Sequence, residues 1–165
     1  MKFVLLDRID ALEPGRRIVA RKALSLAEEY LADHFPTFPV LPGVLMLEGL
    51  VQASAWVVRT ALDFAPSLVV LKAARNVTYR SFVAPGQVLT LESTCLELTE
   101  GESRFDARGR IGEQEIVRAR LTLAHKTLAA MNPELAATDE RIRTHMRELL
   151  RLLGGDVRAE VETTT

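Results

Sequence analysis

The sequence has a single cysteine, Cys95, among its 165 residues. One thiol makes no disulfide within the chain, so the expected setting is a reducing, cytoplasmic one. Charge of neither sign is in excess: 21 Lys and Arg stand against 22 Asp and Glu, a net of −1. The basic footprint of a general nucleic-acid binder is therefore missing. The three histidines, His34, His125 and His145, lie too far from one another and from Cys95 for metal-ligand spacing. No glycine-rich phosphate loop and no Gly-x-Ser-x-Gly elbow occurs. His125 and His145 read as surface residues, and Cys95 as a small buried hydrophobe in a strand. The apolar run at residues 3–6 is too short for a signal peptide. A long unbroken hydrophobic run is lacking too. Residues 44–62 approach the length of a membrane span, but Glu48, Gln52 and Arg59 interrupt them, so they read as a core helix rather than a span.

What is present fits one domain: 48% of the residues are apolar, ordinary for a globular chain. The chain is organised around residues 33–62. Pro36, Pro39 and Pro42 each fix φ, delete a donor and push the preceding residue into extended geometry. His34 thus sits at the head of a stiff loop. Beyond Pro42-Gly43 no proline occurs until Pro66, and a helix apolar nearly all round follows, as buried helices are. Glu48 on such a helix is unusual. Burying a bare charge is expensive, and apolar surroundings favour the neutral acid. A histidine and a neutral carboxyl make a base and acid pair. The first amides of the helix, on Gly43 and its neighbours, are unpaired donors at the positive end of the helix dipole. Gly43 has no Cβ to keep a substrate oxygen away. Such donors form an oxyanion site. Gln52, one turn beyond Glu48, is placed to hydrogen-bond it. A structural ion pair between Glu48 and an arginine of the sheet is the competing interpretation.

The remaining pattern predicts strands around that helix. Glu13-Pro14-Gly15 is a turn, and residues 17–24 form a strand. Residues 25–32 read as a short helix, with Ser25 and Glu28 as a capping box. Residues 68–82 are extended, and residues 88–98 make a long strand. Phe105, Ala107, Gly109 and Ile111 alternate with Arg104, Asp106, Arg108 and Arg110, a half-buried antiparallel strand. Val117, Ala119, Leu121 and Leu123 repeat the alternation. One buried helix with one antiparallel sheet is an α+β arrangement. Near the end, Asn132-Pro133-Glu134 and Thr138-Asp139-Glu140 are helix starts, and Gly154-Gly155 is a stop. Ile142, Met146, Leu149, Leu150 and Leu153 mark one helix face, while Arg143, Arg147 and Arg151 form a basic stripe read as solvated. A docking surface for an acidic carrier protein or a membrane is the other reading of that stripe. Residues 156–165 are polar and expected to be disordered.

His34-Phe35-Pro36-x-x-Pro39-Val40-x-Pro42-Gly43-Val44-Leu45-x-x-Glu48, followed by Gln52, resembles the signature of the FabZ-type 3-hydroxyacyl-[acyl-carrier-protein] dehydratases. Where that family has glycine after His-Phe-Pro, this chain has Thr37. Residues 3–8 resemble the family's first strand, without the Pro-His-Arg-Tyr that often precedes it. The resemblance implies a hot-dog fold, a curved antiparallel sheet wrapped round the long helix, over residues 1–128. Residues 129–165 are then a C-terminal helical extension with its tail. It implies dehydration of a 3-hydroxyacyl thioester, carried by acyl carrier protein, to a trans-2-enoyl thioester, with no metal or other cofactor. His34 and Glu48 would be catalytic. Gly43, Val44, the backbone at Val40 and Gln52 would bind substrate or orient the catalytic pair. In the resembling family the histidine and glutamate of one site come from different subunits, so a homodimer or a trimer of dimers is expected. Alternatives on the same fold are an acyl-thioesterase, an isomerising dehydratase, whose kind usually carries aspartate at the Glu48 position, and a non-catalytic acyl-thioester-binding module.

Overall fold

The structure, a computed structural model, describes residues 3–155. Its elements are β1 (Arg8–Glu13), β2 (Arg17–Ala23), α1 (Gly43–Ala61), β3 (Leu68–Tyr79), β4 (Val88–Leu98), β5 (Glu102–Ile111), β6 (Gln114–Lys126) and α2 (Ala136–Leu152). The strands form one sheet in the order β1-β2-β4-β5-β6-β3, antiparallel throughout. This is the α+β arrangement that the alternation implied.

Period-two patterning decides which face of the sheet is buried. Ser103, Phe105 and Ala107 of β5 and Val117, Ala119, Leu121 and Leu123 of β6 point inward. Arg104, Arg108, Arg118 and Arg120 between them stand in solvent. Leu50, Ser54, Val57 and Val58 of α1 close on that inner face. Gly49 and Gly109 mark close packing: a Cβ on Gly49 would come 3.2 Å from Leu91, and one on Gly109 would come 2.7 Å from Val117. One polar link crosses this core. Ser54 Oγ lies 2.8 Å from the Leu50 carbonyl and 2.6 Å from Ser93 Oγ on β4. The only proton on Ser54 goes to the carbonyl, so Ser93 donates to Ser54.

Several local expectations are corrected. The first strand starts at Arg8, not at residue 3. Leu5 and Leu6 are both buried, which a one-faced strand does not allow, and the segment instead crosses α1. Residues 25–32 hold only a 3-10 turn, Glu29–Leu31. Ser25 Oγ accepts from the Ala27 amide, and Lys22, itself buried, draws the Glu28 carboxylate to 2.6 Å, so the capping box does not close. His125 is buried rather than on the surface. Its Nδ1 faces the Glu100 carbonyl at 3.1 Å and its Nε2 faces Ser103 Oγ at 2.8 Å. A carbonyl only accepts, so Nδ1 carries a proton. Burial pushes its pKa below the usual histidine value. Cys95 is only partly buried. It sits where the β4–β5 register slips, with Sγ 3.4 Å from the Glu97 carbonyl.

The C-terminal helix joins the same core through Leu150 and Leu153, with Met146 and Leu149 packed beside them. Asp139, near its start, is buried. It accepts from Ser67 Oγ and from the amides of Leu128 and Ala129, which clasps the helix to the chain leaving β6. Two members of the basic stripe are structural: Arg143 donates to the carbonyls of Phe64 and Ala65, and Arg147 donates to that of Asp63 and lies over the Phe64 ring. Arg151 remains exposed. At the far end, the Leu153 carbonyl accepts from Ile9 of β1 at 2.7 Å. Residues 156–165 lie outside the described residues.

Candidate active site

The loop before α1 is held at both ends and open in the middle. Leu31, Val40 and Leu41 are buried anchors, and the Leu41 amide donates to the Val83 carbonyl at 2.9 Å. Between them the chain turns at Phe35, whose φ of 50° is left-handed and whose carbonyl accepts from Phe38. His34 is half-buried, and its ring meets that of Phe35 edge-on at 4.4 Å. Phe38 meets Phe82 in the same way at 5.8 Å. Phe35, Phe38 and Phe82 are each about 60% exposed, and Val44 is 70% exposed. Together these side chains form an exposed apolar rim.

Pro42 flanks the helix start, and its carbonyl accepts from Leu45 and Met46. The Gly43 and Val44 amides have no acceptor among the described residues and project from the positive end of α1. A Cβ on Gly43 would come 3.1 Å from the Tyr79 ring, so glycine lets that ring sit close beside the free amides. Burial raises the pKa of the Tyr79 phenol. Tyr79 carried no signal in the sequence, because β3–β6 pairing and its bulges decide where the strand ends.

Glu48 and Gln52 are brought together as expected: Gln52 Nε2 donates to Glu48 Oε1 at 3.0 Å. Gln52 Oε1 accepts from the Leu5 amide at 2.9 Å, and Nε2 also reaches the Phe3 carbonyl at 3.2 Å. The Leu5 bond fixes which end of the Gln52 amide is oxygen, and hence which end faces the carboxyl. Residues 3–5 are thus a support that sequence reasoning missed. Glu48 is half-buried rather than enclosed. At 100° per residue, Glu48 and Gln52 lie within about 40° of arc, on the side of α1 turned away from Leu50, Ser54 and Val57. Glu48 stands about 7.5 Å along the axis from Gly43. No hydrogen bond or ion pair joins His34 to Glu48, and among the described residues no arginine pairs with Glu48. Val40 contributes a buried side chain, and its backbone makes no hydrogen bond with His34.

A groove of about 820 Å³ opens at the other end of α1 between Leu62, Ala65, Pro66, His125, Ala130 and Met131. None of the expected site residues lines it. Among the described residues no group of three or more His, Cys, Asp or Glu could hold a metal ion, and no helix is long and apolar enough to cross a membrane.

The same architecture is found in solved structures. The dehydratase heterocomplex ApeI:P from Xenorhabdus doucetiae superposes with a TM-score of 0.65 at 21% identity, over 79% of this chain and 90% of that one. A hypothetical thioesterase protein from Streptococcus pneumoniae with coenzyme A superposes at 0.57 and 14% identity, over 73% and 85%. Residues 1–120 match the FabA-like domain, and the chain belongs to that family. Among curated relatives, 3-hydroxyacyl-[acyl-carrier-protein] dehydratase FabZ from Albidiferax ferrireducens is 36% identical over 130 residues, covering 77% of this chain and 87% of the relative. The enzymes of the same name from Pediococcus pentosaceus and Symbiobacterium thermophilum are each 34% identical, over 73% and 81% of this chain and 80% and 93% of theirs.

Proposed function

We propose that this chain dehydrates a 3-hydroxyacyl thioester, borne by acyl carrier protein, to the trans-2-enoyl thioester of fatty-acid biosynthesis. The observation that carries the reading is the Gln52-held carboxyl of Glu48, one and a half turns beyond two unpaired helix amides. The thioester oxygen docks on the Gly43 and Val44 amides, which stabilise the enolate-like charge. His34 takes the proton from the carbon beside the carbonyl. Gln52 occupies Glu48 Oε1, which leaves Oε2 to carry a proton. Glu48 gives that proton to the departing hydroxyl: the carbon–oxygen bond breaks, water leaves and the double bond forms. Transfer of the proton from His34 back to Glu48 completes the cycle. The lone thiol and a carrier-borne substrate suit a reducing, cytoplasmic setting.

The histidine and the glutamate of one site come from two copies of the chain. Three features favour a homodimer, alone or as a trimer of dimers: the apolar rim at Phe35 and Phe38, the exposed Val70, Leu71 and Tyr79 on edge strand β3, and the absence of a His34–Glu48 contact within one chain. The test is hydration of a 2-enoyl thioester, on carrier protein and on coenzyme A, followed by loss of enoyl absorbance. Wild type is expected to turn over without releasing thiol, and His34→Ala and Glu48→Gln to fall by at least about 100-fold. A wild-type protein inert on both carriers refutes the activity. Full rate in His34→Ala refutes the assigned base.

A further inference from the structure

Beside the two unpaired amides of α1 stands a side chain that the mechanism leaves unused. If Gly43 carried a Cβ, its three nearest neighbours would all belong to Tyr79: Cε1 at 3.1 Å, Cζ at 3.3 Å and Cδ1 at 3.4 Å. The ring therefore meets Gly43 along the edge that leads to its hydroxyl, and Oη is one bond beyond Cζ. Tyr79 ends β3 and is 46% exposed in the single chain, so a bound molecule can reach it. Its backbone is held on both sides. Tyr79 stands in register with Val117 of β6, and the Arg80 amide donates to the Ile116 carbonyl at 2.8 Å. A little further on, the Val83 carbonyl accepts from Leu41 in the loop before α1, which ties this stretch to the helix start. A hydroxyl on a fixed backbone is pre-organised, as the donors of an oxyanion site are. Burial alone acts on the phenol and raises its pKa, so the group keeps its proton near neutrality. Among the described residues no acceptor takes that proton in a hydrogen bond.

We propose that the Tyr79 hydroxyl is a third donor to the thioester oxygen, joining the amides of Gly43 and Val44. The inference rests on the dehydratase reading, which seats that oxygen at the start of α1. Packing against Gly43 uses only the ring, which leaves the hydroxyl for the substrate. Negative charge grows on the oxygen as His34 removes the proton from the neighbouring carbon. A donor aimed at that oxygen binds more strongly in the transition state than in the ground state, so it acts on turnover rather than on substrate binding. The phenol keeps its proton throughout: it donates a hydrogen bond, and no covalent bond to it forms or breaks.

The test is Tyr79→Phe, which removes the hydroxyl and keeps the ring on Gly43. In hydration of a 2-enoyl thioester, kcat is expected to fall by about 10–100-fold with KM within about twofold, while the urea midpoint stays at the wild-type value. A second readout needs no turnover. A saturated acyl thioester with an isotope-labelled carbonyl is bound to each protein, and infrared difference spectra report the carbonyl stretch. The stretch is expected at higher frequency in Tyr79→Phe, which has one donor fewer. A kcat within about twofold of wild type, or an unshifted stretch, overturns the inference while leaving the dehydratase reading intact. A loss confined to KM puts the hydroxyl elsewhere on the substrate and also overturns it. If Tyr79→Phe instead lowers the oligomeric state and regains full kcat at higher protein concentration, the hydroxyl serves assembly and the inference fails. A wild type inert on both carriers refutes the dehydratase reading, and the inference with it.

Discussion

Gln52→Leu separates support of the fold from support of the chemistry. The substitution keeps bulk and helix propensity but removes the bonds to Leu5, Phe3 and Glu48. The Leu5 amide, on a residue only 4% exposed, loses its acceptor. A buried donor left unpaired costs about 1–3 kcal/mol. In urea, where small proteins lose about 1–3 kcal/mol per molar, the unfolding midpoint is expected to drop by roughly 1 M. Activity is expected to suffer separately. Glu48 retains its carboxyl but loses the donor that fixes its Oε1, and misplacement of about 1 Å at a reacting group costs up to about 100-fold. Turnover of an enoyl thioester well below the unfolding transition should therefore show kcat down by about 10–100-fold with a smaller change in KM. Both assays need matched protein concentration, because assembly contributes to apparent stability. A variant that loses stability as stated but keeps kcat within about twofold makes Gln52 a tie for the N-terminal segment only, and the positioning argument is wrong.

Four further outcomes are expected. Ser54→Ala strands the Ser93 hydroxyl and should cost about 1–3 kcal/mol by urea unfolding, more than Ser93→Ala, with the double variant well short of the sum. Gly43→Ala pushes a methyl into the Tyr79 ring beside the free amides, and kcat/KM should fall by about 100-fold or more with the fold retained by circular dichroism. Phe105→Ala, at the centre of the sheet's buried face, should cost about 3–5 kcal/mol. Burial depresses the folded pKa of His125, so its contribution to stability is complete above about pH 6.5 and is lost as pH falls below that toward the folded value. Urea midpoints should decline over that window in wild type, and less in His125→Gln.

The legible part of the fold is the part with an unambiguous period. Phe105 to Ile111 and Val117 to Leu123 alternate cleanly, and both are strands with those residues inward or partly so. Residues 44–62 have no breaker, and α1 occupies nearly that span. The Glu48–Gln52 contact follows from helical spacing alone. What the sequence hid depends on contacts distant along the chain. Leu5 and Leu6 look like the start of a strand until Gln52 takes the Leu5 amide. Ser25 and Glu28 look like a capping box until Lys22, brought near by the β2–β4 pairing, claims the glutamate. His125 looks exposed on a strand of arginines, but register turns it toward Ser103. Arg143 and Arg147 look solvated until α2 folds back over the carbonyls of Asp63, Phe64 and Ala65, just beyond α1.

The bond from Ile9 to the Leu153 carbonyl has a consequence for aggregation. An antiparallel sheet has two rims, each able to template another chain. Here β1 is short, is bulged between Ile9 and Ala11, and has its Ile9 amide claimed by Leu153 at the end of α2. The β3 rim is long and bare. Growth by strand addition is therefore one-sided: two molecules joined rim to rim use up both β3 strands, and the pair seeds nothing further.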